Sequence, residues 1–106
     1  MTEDLNIQKV KQIVSEVIGD NLAKLILFGS RARQDFQQDS DYDFLVVLKH
    51  NLDRSNYLKL YSSLKKILAK NKIPNDFLIH SSDEFNFLSQ VPGTTTYNAV
   101  LEGVIL

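Results

Sequence analysis

Two short apolar runs, Leu25–Phe28 and Phe44–Leu48, constrain the fold of this chain more than any other feature. Each run is about the length of a β-strand and far too short to cross a membrane. The second run has no polar residue on either face, which is typical of a strand in the middle of a sheet. The polar segment between the runs begins with a Gly-Ser pair and ends with an Asp-x-Asp motif, Asp41 and Asp43. We therefore expect a tight turn and two carboxylates at the end of a buried sheet.

The periodicity of apolar residues predicts further elements in the order α-β-(short α)-β-α-β-α, followed by a short strand. They are a helix at Asp4–Ile18, strands at Leu25–Phe28, Tyr42–Leu48 and Asp76–His80, a short helix at Ser30–Gln34, a long helix at Asp53–Asn71, a helix with Ser81 as its N-cap, a helical turn at Tyr97–Glu102 and a strand at Val104–Leu106. The spacing of Ser81 and Glu84 is that of a capping box, in which Glu84 reaches back to the N-cap residue. We expect an α/β (α+β) fold in which helices cover one face of a small mixed sheet of three to four strands.

Length and composition narrow the functional classes. The 106 residues are enough for one domain, residues 1–106. The net charge of −1 provides no basic field for a long nucleic acid. No cysteine is present, so disulfides and thiolate metal sites are excluded. The first twelve residues lack the apolar segment of a signal peptide, and no apolar run is long enough to span a bilayer, so we expect a cytoplasmic protein without a membrane partner.

The acidic residues of the motif are typical of a metal site. Side chains alternate along a strand, so Asp41 and Asp43 are expected to point to the same face. Carboxylates at this spacing can converge on a pair of divalent ions, as in two-metal phosphoryl transfer. Asp76 opens a third apolar strand and is the expected third ligand. The simpler alternative is a solvated turn before a strand, since short acidic motifs recur by chance.

The Gly-Ser pair predicts a phosphate-binding turn opposite these carboxylates. Gly29 allows a sharp turn and a close approach of phosphate to the backbone, and the Ser30 hydroxyl can donate to a phosphate oxygen. Arg31 and Arg33 supply positive charge suited to a triphosphate. The alternative is an ordinary strand-to-helix turn with Ser30 as N-cap and two surface arginines. The turn is not a Walker A loop, because no Gly-Lys-Ser/Thr follows at the required spacing.

The spaced pattern, Gly29-Ser30 and then Asp41-x-Asp43 after ten residues, resembles the DNA polymerase β-like nucleotidyltransferase superfamily. The segments GSRAR and SDYDFLVVL resemble those of its smallest branch, the minimal nucleotidyltransferases (MNT), and the resemblance covers roughly residues 25–79. The resemblance implies the polymerase β-like fold, two Mg²⁺ ions (or Mn²⁺) bound by Asp41 and Asp43, and a triphosphate held by the Gly-Ser turn. It also implies that Asp76 binds one ion and prepares the acceptor hydroxyl. Many relatives have glycine where this chain has Gln34.

The same resemblance implies a function. Members of this branch are often antitoxins of HEPN/MNT toxin–antitoxin systems, and the chain would transfer AMP from ATP to a tyrosine of a partner HEPN ribonuclease toxin. Two alternatives remain open. The first is an antitoxin that neutralises its partner by binding alone, which replacement of Asp41 and Asp43 by asparagine would leave active. The second is an enzyme that adenylylates a small molecule, although no additional helical domain for such an acceptor is visible.

Overall fold

The computed structural model describes residues 4–106, which form a four-stranded sheet with helices on both of its faces. The helices are α1 (Leu5–Ile18), α2 (Ser30–Arg33), α3 (Arg54–Lys70), α4 (Ser82–Leu88) and α5 (Thr95–Glu102), with a 3₁₀ turn at Gly19–Asn21. The strands are β1 (Leu22–Phe28), β2 (Tyr42–Leu48), β3 (Asn75–Ser81) and β4 (Val104–Ile105). The predicted α/β class and the predicted order of elements are confirmed.

The strand directions decide where functional groups can meet. The order across the sheet is β3-β2-β1-β4. Strand β1 is antiparallel to β2 and β4, whereas β2 and β3 are parallel. The carboxyl end of β1 therefore lies beside the amino ends of β2 and β3. Strand β2 is internal, as its two apolar faces predict, and Phe44–Leu48 is buried throughout.

The sheet has an apolar core on each face, so the expectation that helices cover only one face is wrong. On the first face, Val10 and Val14 of α1 and Leu64 and Leu68 of α3 pack against alternate strand residues. On the second face, Phe85 of α4 and Ala99 of α5 join the intervening strand residues, which are Ile26, Leu45 and Val47. Because β2 is apolar on both faces, burial of one face alone would leave Leu45 and Val47 in water.

Side-chain caps fix several helix ends. Asp4 caps α1 by accepting bonds from the backbone amides of Asn6 and Ile7. Ser81 caps α4 by accepting a bond from the Glu84 amide, as predicted. The rest of the predicted capping box is wrong, since the Glu84 carboxylate lies 2.7 Å from Nδ1 of His80. The carboxylate is thus engaged by the His80 side chain instead of the Ser81 backbone.

Strand β1 begins three residues earlier than the apolar run indicates. Ala23 and Lys24 are exposed and carry no apolar signal, but the segment from Leu22 pairs with Leu48 and Val47 of β2. Backbone pairing thus extends the strand beyond its buried part. Within residues 4–106, no helix has the length and apolar character needed to cross a membrane.

Candidate active site

The register of the sheet brings the two halves of the predicted site together. Phe28, the last residue of β1, is paired with Asp43 of the antiparallel strand β2. Asp43 is in turn paired with Asp76 of the parallel strand β3. Neighbouring strands lie about 4.8 Å apart, so the two carboxylates stand side by side at one end of the sheet. Gly29 follows Phe28 directly and therefore lies at the same end.

The Gly29 backbone is in contact with Asp43. Gly29 has φ 73° and ψ −157°, a conformation that only glycine adopts readily. A Cβ atom at this position would collide with Oδ2 of Asp43 and would lie 3.1 Å from its Cγ. Gly29, and not Ser30, is the N-cap residue of α2. The glycine is thus required both by the turn and by the space that the Asp43 carboxylate occupies.

The Asp43 carboxylate is affected by the charges of the other two predicted carboxylates. Burial, followed by the negative charges of Asp76 and Asp41, raises the pKa of Asp43 above its ordinary value. The positive charge of Arg33 opposes this shift. The ionised form of Asp43 is therefore less favourable in the folded protein than in water. A bound cation would relieve this repulsion.

The donor set suits a hard divalent cation. Three carboxylates at the end of a sheet are the oxygen ligands that Mg²⁺ and Mn²⁺ prefer. Asp41 precedes β2 and is exposed, and the side chain of Asp76 is 72% exposed. Within residues 4–106, no group of three or more acidic or histidine side chains is close enough together to hold a metal ion. The ligand chemistry thus fits such an ion, although the three carboxylates are not gathered around a single point.

The two predicted nucleotide-binding arginines have different surroundings. The Arg31 side chain is buried, and its guanidinium donates to the backbone carbonyls of Gln38 and Ser40. Arg33 is partly exposed and forms ion pairs with Asp35 at 3.2 Å and with Glu102 at 3.0 Å. These two carboxylates raise the pKa of Arg33, so it stays cationic. Of these two arginines, Arg33 is the one whose guanidinium lies at the surface, where both carboxylates pair with it.

A cation that the sequence analysis missed lies beside Asp76. The Lys65 ammonium donates to the backbone and side-chain oxygens of Asn75, at 3.2 and 3.0 Å, and lies 4.0 Å from Oδ1 of Asp76. Lys65 belongs to α3, where it stands outside the buried stripe and looks like an ordinary surface residue. No local pattern connects it with β3, because the contact depends on how the helix packs.

The other end of the sheet carries a separate polar cluster. His80 lies four residues beyond Asp76 on β3, about 13 Å along the strand. Its ring nitrogens contact Glu84 and the buried Thr96, at 2.7 and 3.1 Å. A cavity of about 260 Å³ lies beside it, bordered by Leu48 and Ile79 among others. This cluster ties α4 and α5 to the sheet and is remote from the carboxylates.

Comparison with known proteins identifies the family. The model of the family described as "Polymerase beta, Nucleotidyltransferase" matches residues 8–106, nearly the whole chain. The chain belongs to the polymerase beta nucleotidyltransferase family. The predicted enzyme class, nucleotidyltransferase, and the predicted family fold are thereby confirmed.

Individual relatives agree with this assignment. A Methanocaldococcus jannaschii protein, provisionally named a protein adenylyltransferase, is 34% identical to this nucleotidyltransferase over 73 residues, 69% of this chain and 70% of the relative. A similar fold occurs in the complex of tri-AMPylated Shewanella oneidensis HEPN toxin with MNT antitoxin (TM-score 0.55, 21% identity, 95% of this chain and 68% of that one). It also occurs in a toxin–antitoxin crystal structure with AMP-PNP (TM-score 0.58, 18% identity, 98% of this chain and 72% of that one). At these identities the two structures show likeness of fold.

Proposed function

We propose that this chain is a Mg²⁺-dependent protein adenylyltransferase that moves AMP from ATP to a tyrosine of a HEPN toxin and thereby acts as its antitoxin. The observation that carries the proposal is the pairing of Asp43 with Asp76 beside the Gly29 turn, in a chain of the nucleotidyltransferase family. The relative named a protein adenylyltransferase supports the acceptor class, and the AMPylated toxin complex supports the partner. The proposal places the protein in the cytoplasm, where ATP is available.

In the proposed reaction the tyrosine oxygen attacks the α-phosphorus of ATP. A bond forms between these two atoms, the bond from the α-phosphorus to the bridging oxygen breaks, and pyrophosphate leaves with the electron pair. Asp76 would take the phenolic proton; the exposure of its side chain, which leaves it open to an incoming partner, supports this role. A phenol with a pKa of about 10 is an acceptor that a carboxylate and a cation can activate.

Each side chain of the site has a role in binding or orientation. Asp41 and Asp43 would hold two Mg²⁺ or Mn²⁺ ions, and Asp76 would share one of them. Bound ions supply charge neutralisation for the triphosphate and a lower pKa for the acceptor hydroxyl. The Gly29-Ser30 turn would lie along the triphosphate, and the accessible guanidinium of Arg33 would contact its oxygens. The polypeptide would thus align the reacting groups and stabilise the charge of the transition state, which are the main contributions to catalysis of phosphoryl transfer.

The test is transfer of label from α-³²P-ATP to a purified HEPN toxin in the presence of Mg²⁺. Wild type should label the toxin on tyrosine, and Asp43→Asn or Asp76→Asn should lower the rate by about a hundredfold or more. Asp39→Asn is the matched control, because Asp39 is an exposed acid of the adjoining loop. Labelling of no protein, with the toxin still neutralised, would favour binding alone. Labelling of a small molecule instead would replace the proposed acceptor.

A further inference from the structure

Arg31 is the one charged side chain among residues 4–106 that is buried, with 8% of its surface exposed. Its guanidinium carbon lies 4.2 Å from the ring centre of Phe36 and 4.3 Å from that of Tyr42. A guanidinium stacked on aromatic rings is favourable, and the rings exclude water from it. An arginine in this position has little surface left for a ligand from solution.

The hydrogen bonds of Arg31 end on the loop that precedes β2. Its Nε and Nη2 atoms donate to the carbonyl oxygen of Ser40 at 3.2 and 3.0 Å, and Nη2 also donates to that of Gln38 at 3.1 Å. The loop has few internal bonds, chiefly those between Gln37 and Ser40. Charge-assisted bonds to backbone carbonyls therefore fix a segment that has no regular structure of its own.

The two residues in contact with Arg31 at the end of this loop flank Asp41. Ser40 accepts the hydrogen bonds, and Tyr42 provides one of the stacked rings. Tyr42 is also held from its other end, since its hydroxyl donates to the Asp4 carboxylate at 2.8 Å. Asp41 itself is exposed. The residues on both sides of Asp41 are thus in contact with Arg31.

We propose that Arg31 is a positioning residue, which orients Asp41 by holding Ser40 and Tyr42, and that it is not a ligand of the triphosphate. The functional part of this inference rests on the proposed adenylyltransfer. Arg33, two residues along the same helix, lies at the surface in ion pairs with Asp35 and Glu102 and would be the arginine of the pair that contacts the nucleotide. The two arginines, which are alike in sequence, would thus have different tasks.

The first test concerns the loop alone and needs no activity. Arg31→Lys removes the planar fork and the stacking but keeps the positive charge. We expect amide hydrogen exchange at Gln37 and Ser40, measured by NMR, to become about tenfold faster, as loss of charge-assisted bonds implies. Phe36→Leu, which removes one stacked ring, should give a smaller change in the same direction. Arg54→Lys, in the exposed first turn of α3, should give none.

The second test is a double-mutant cycle on the transfer rate. If Arg31 acts through Asp41, Arg31→Lys lowers kcat about tenfold in the wild-type background and less than about twofold in the Asp41→Asn background. An unchanged loop exchange, multiplicative effects on kcat, or a rise confined to KM for ATP would overturn the inference. Full activity of Asp41→Asn would overturn the proposed function instead, and the exchange measurement would still decide whether Arg31 holds the loop.

Discussion

Replacement of Gly29 by alanine tests whether the Asp43 side chain occupies the space that a Cβ atom at position 29 would need. The new methyl group would collide with Oδ2 of Asp43 and lie 3.1 and 3.3 Å from its Cγ and Cβ atoms. The backbone would also be strained, because φ is 73°. Gly19→Ala is a matched control, since Gly19 has φ 64° and ψ −135° but no atom within 4 Å of an added Cβ. The difference between the two variants isolates the contact with Asp43.

The expected loss of stability in Gly29→Ala is the sum of two contributions. A non-glycine residue in such a conformation costs about 1–3 kcal/mol at either position. Overpacking against Asp43 adds about 1–3 kcal/mol at Gly29 alone. In a chain of this size 1 kcal/mol corresponds to about 4 °C in Tm, so Gly29→Ala should lower Tm by about 4–12 °C more than Gly19→Ala does. Because Asp43 must move, the transfer rate should fall about a hundredfold.

Thermal unfolding of both variants, in the wild-type and Asp43→Ala backgrounds, provides the assay. Removal of the Asp43 carboxylate should remove most of the extra destabilisation caused by Gly29→Ala, and this coupling is the specific signature of the contact. Equal Tm values for the two glycine variants in the wild-type background would refute the reasoning. So would an extra loss at Gly29 that persists unchanged in the Asp43→Ala background.

Two further predictions concern charge and backbone strain. Because the pKa of Asp43 is raised in the folded state, ionisation of Asp43 lowers the free energy of unfolding. This loss of stability is fully present above the folded-state pKa and disappears as the pH falls below the unfolded-state pKa. Asp43→Asn should therefore raise Tm at pH 7 by an amount that shrinks toward pH 3; a gain independent of pH, or none, would contradict this. Gln34 adopts φ 68°, so Gln34→Gly should relieve left-handed strain and stabilise the protein by about 0.5 kcal/mol. Lys72→Gly, at φ 58° far along the chain, should give a similar gain in thermal unfolding, and a loss of stability in either variant would count against the strain argument.

The parts of the fold that sequence predicts well are those with a local signal. Strand β2 is apolar on both faces, and the sequence alone indicates that it is internal. Helix α3 shows its buried stripe through Leu64 and Leu68. The second core is harder to foresee, because α4 and α5 are short and contribute only Phe85 and Ala99 to it. Two short helices carry too few apolar residues for their periodicity to indicate a face.

The residues of the candidate site also include some that the sequence predicts and some that it does not. The family pattern marks Gly29 and the paired acids, and the register places Asp43 between Gly29 and Asp76. The sequence does not distinguish the buried Arg31 from the exposed Arg33, since both follow the same strand within one helical turn. The position of Lys65 beside Asp76 depends on helix packing across the sheet. Such contacts arise from tertiary structure and have no signature in nearby residues.

The pairing of Phe28 with Asp43 carries a consequence for how this enzyme tolerates length changes. A single-residue insertion inside β2, between its acidic start and its apolar run, would leave every acidic and glycine residue of the site in the chain. Side chains alternate along a strand, so such an insertion would turn either the acids or the hydrophobic residues to the wrong side. Loops elsewhere can lengthen with little effect. In β2, by contrast, the residue spacing that buries the hydrophobic side chains also determines the direction of the acidic side chains. The same residue spacing in β2 is therefore required for folding and for catalysis.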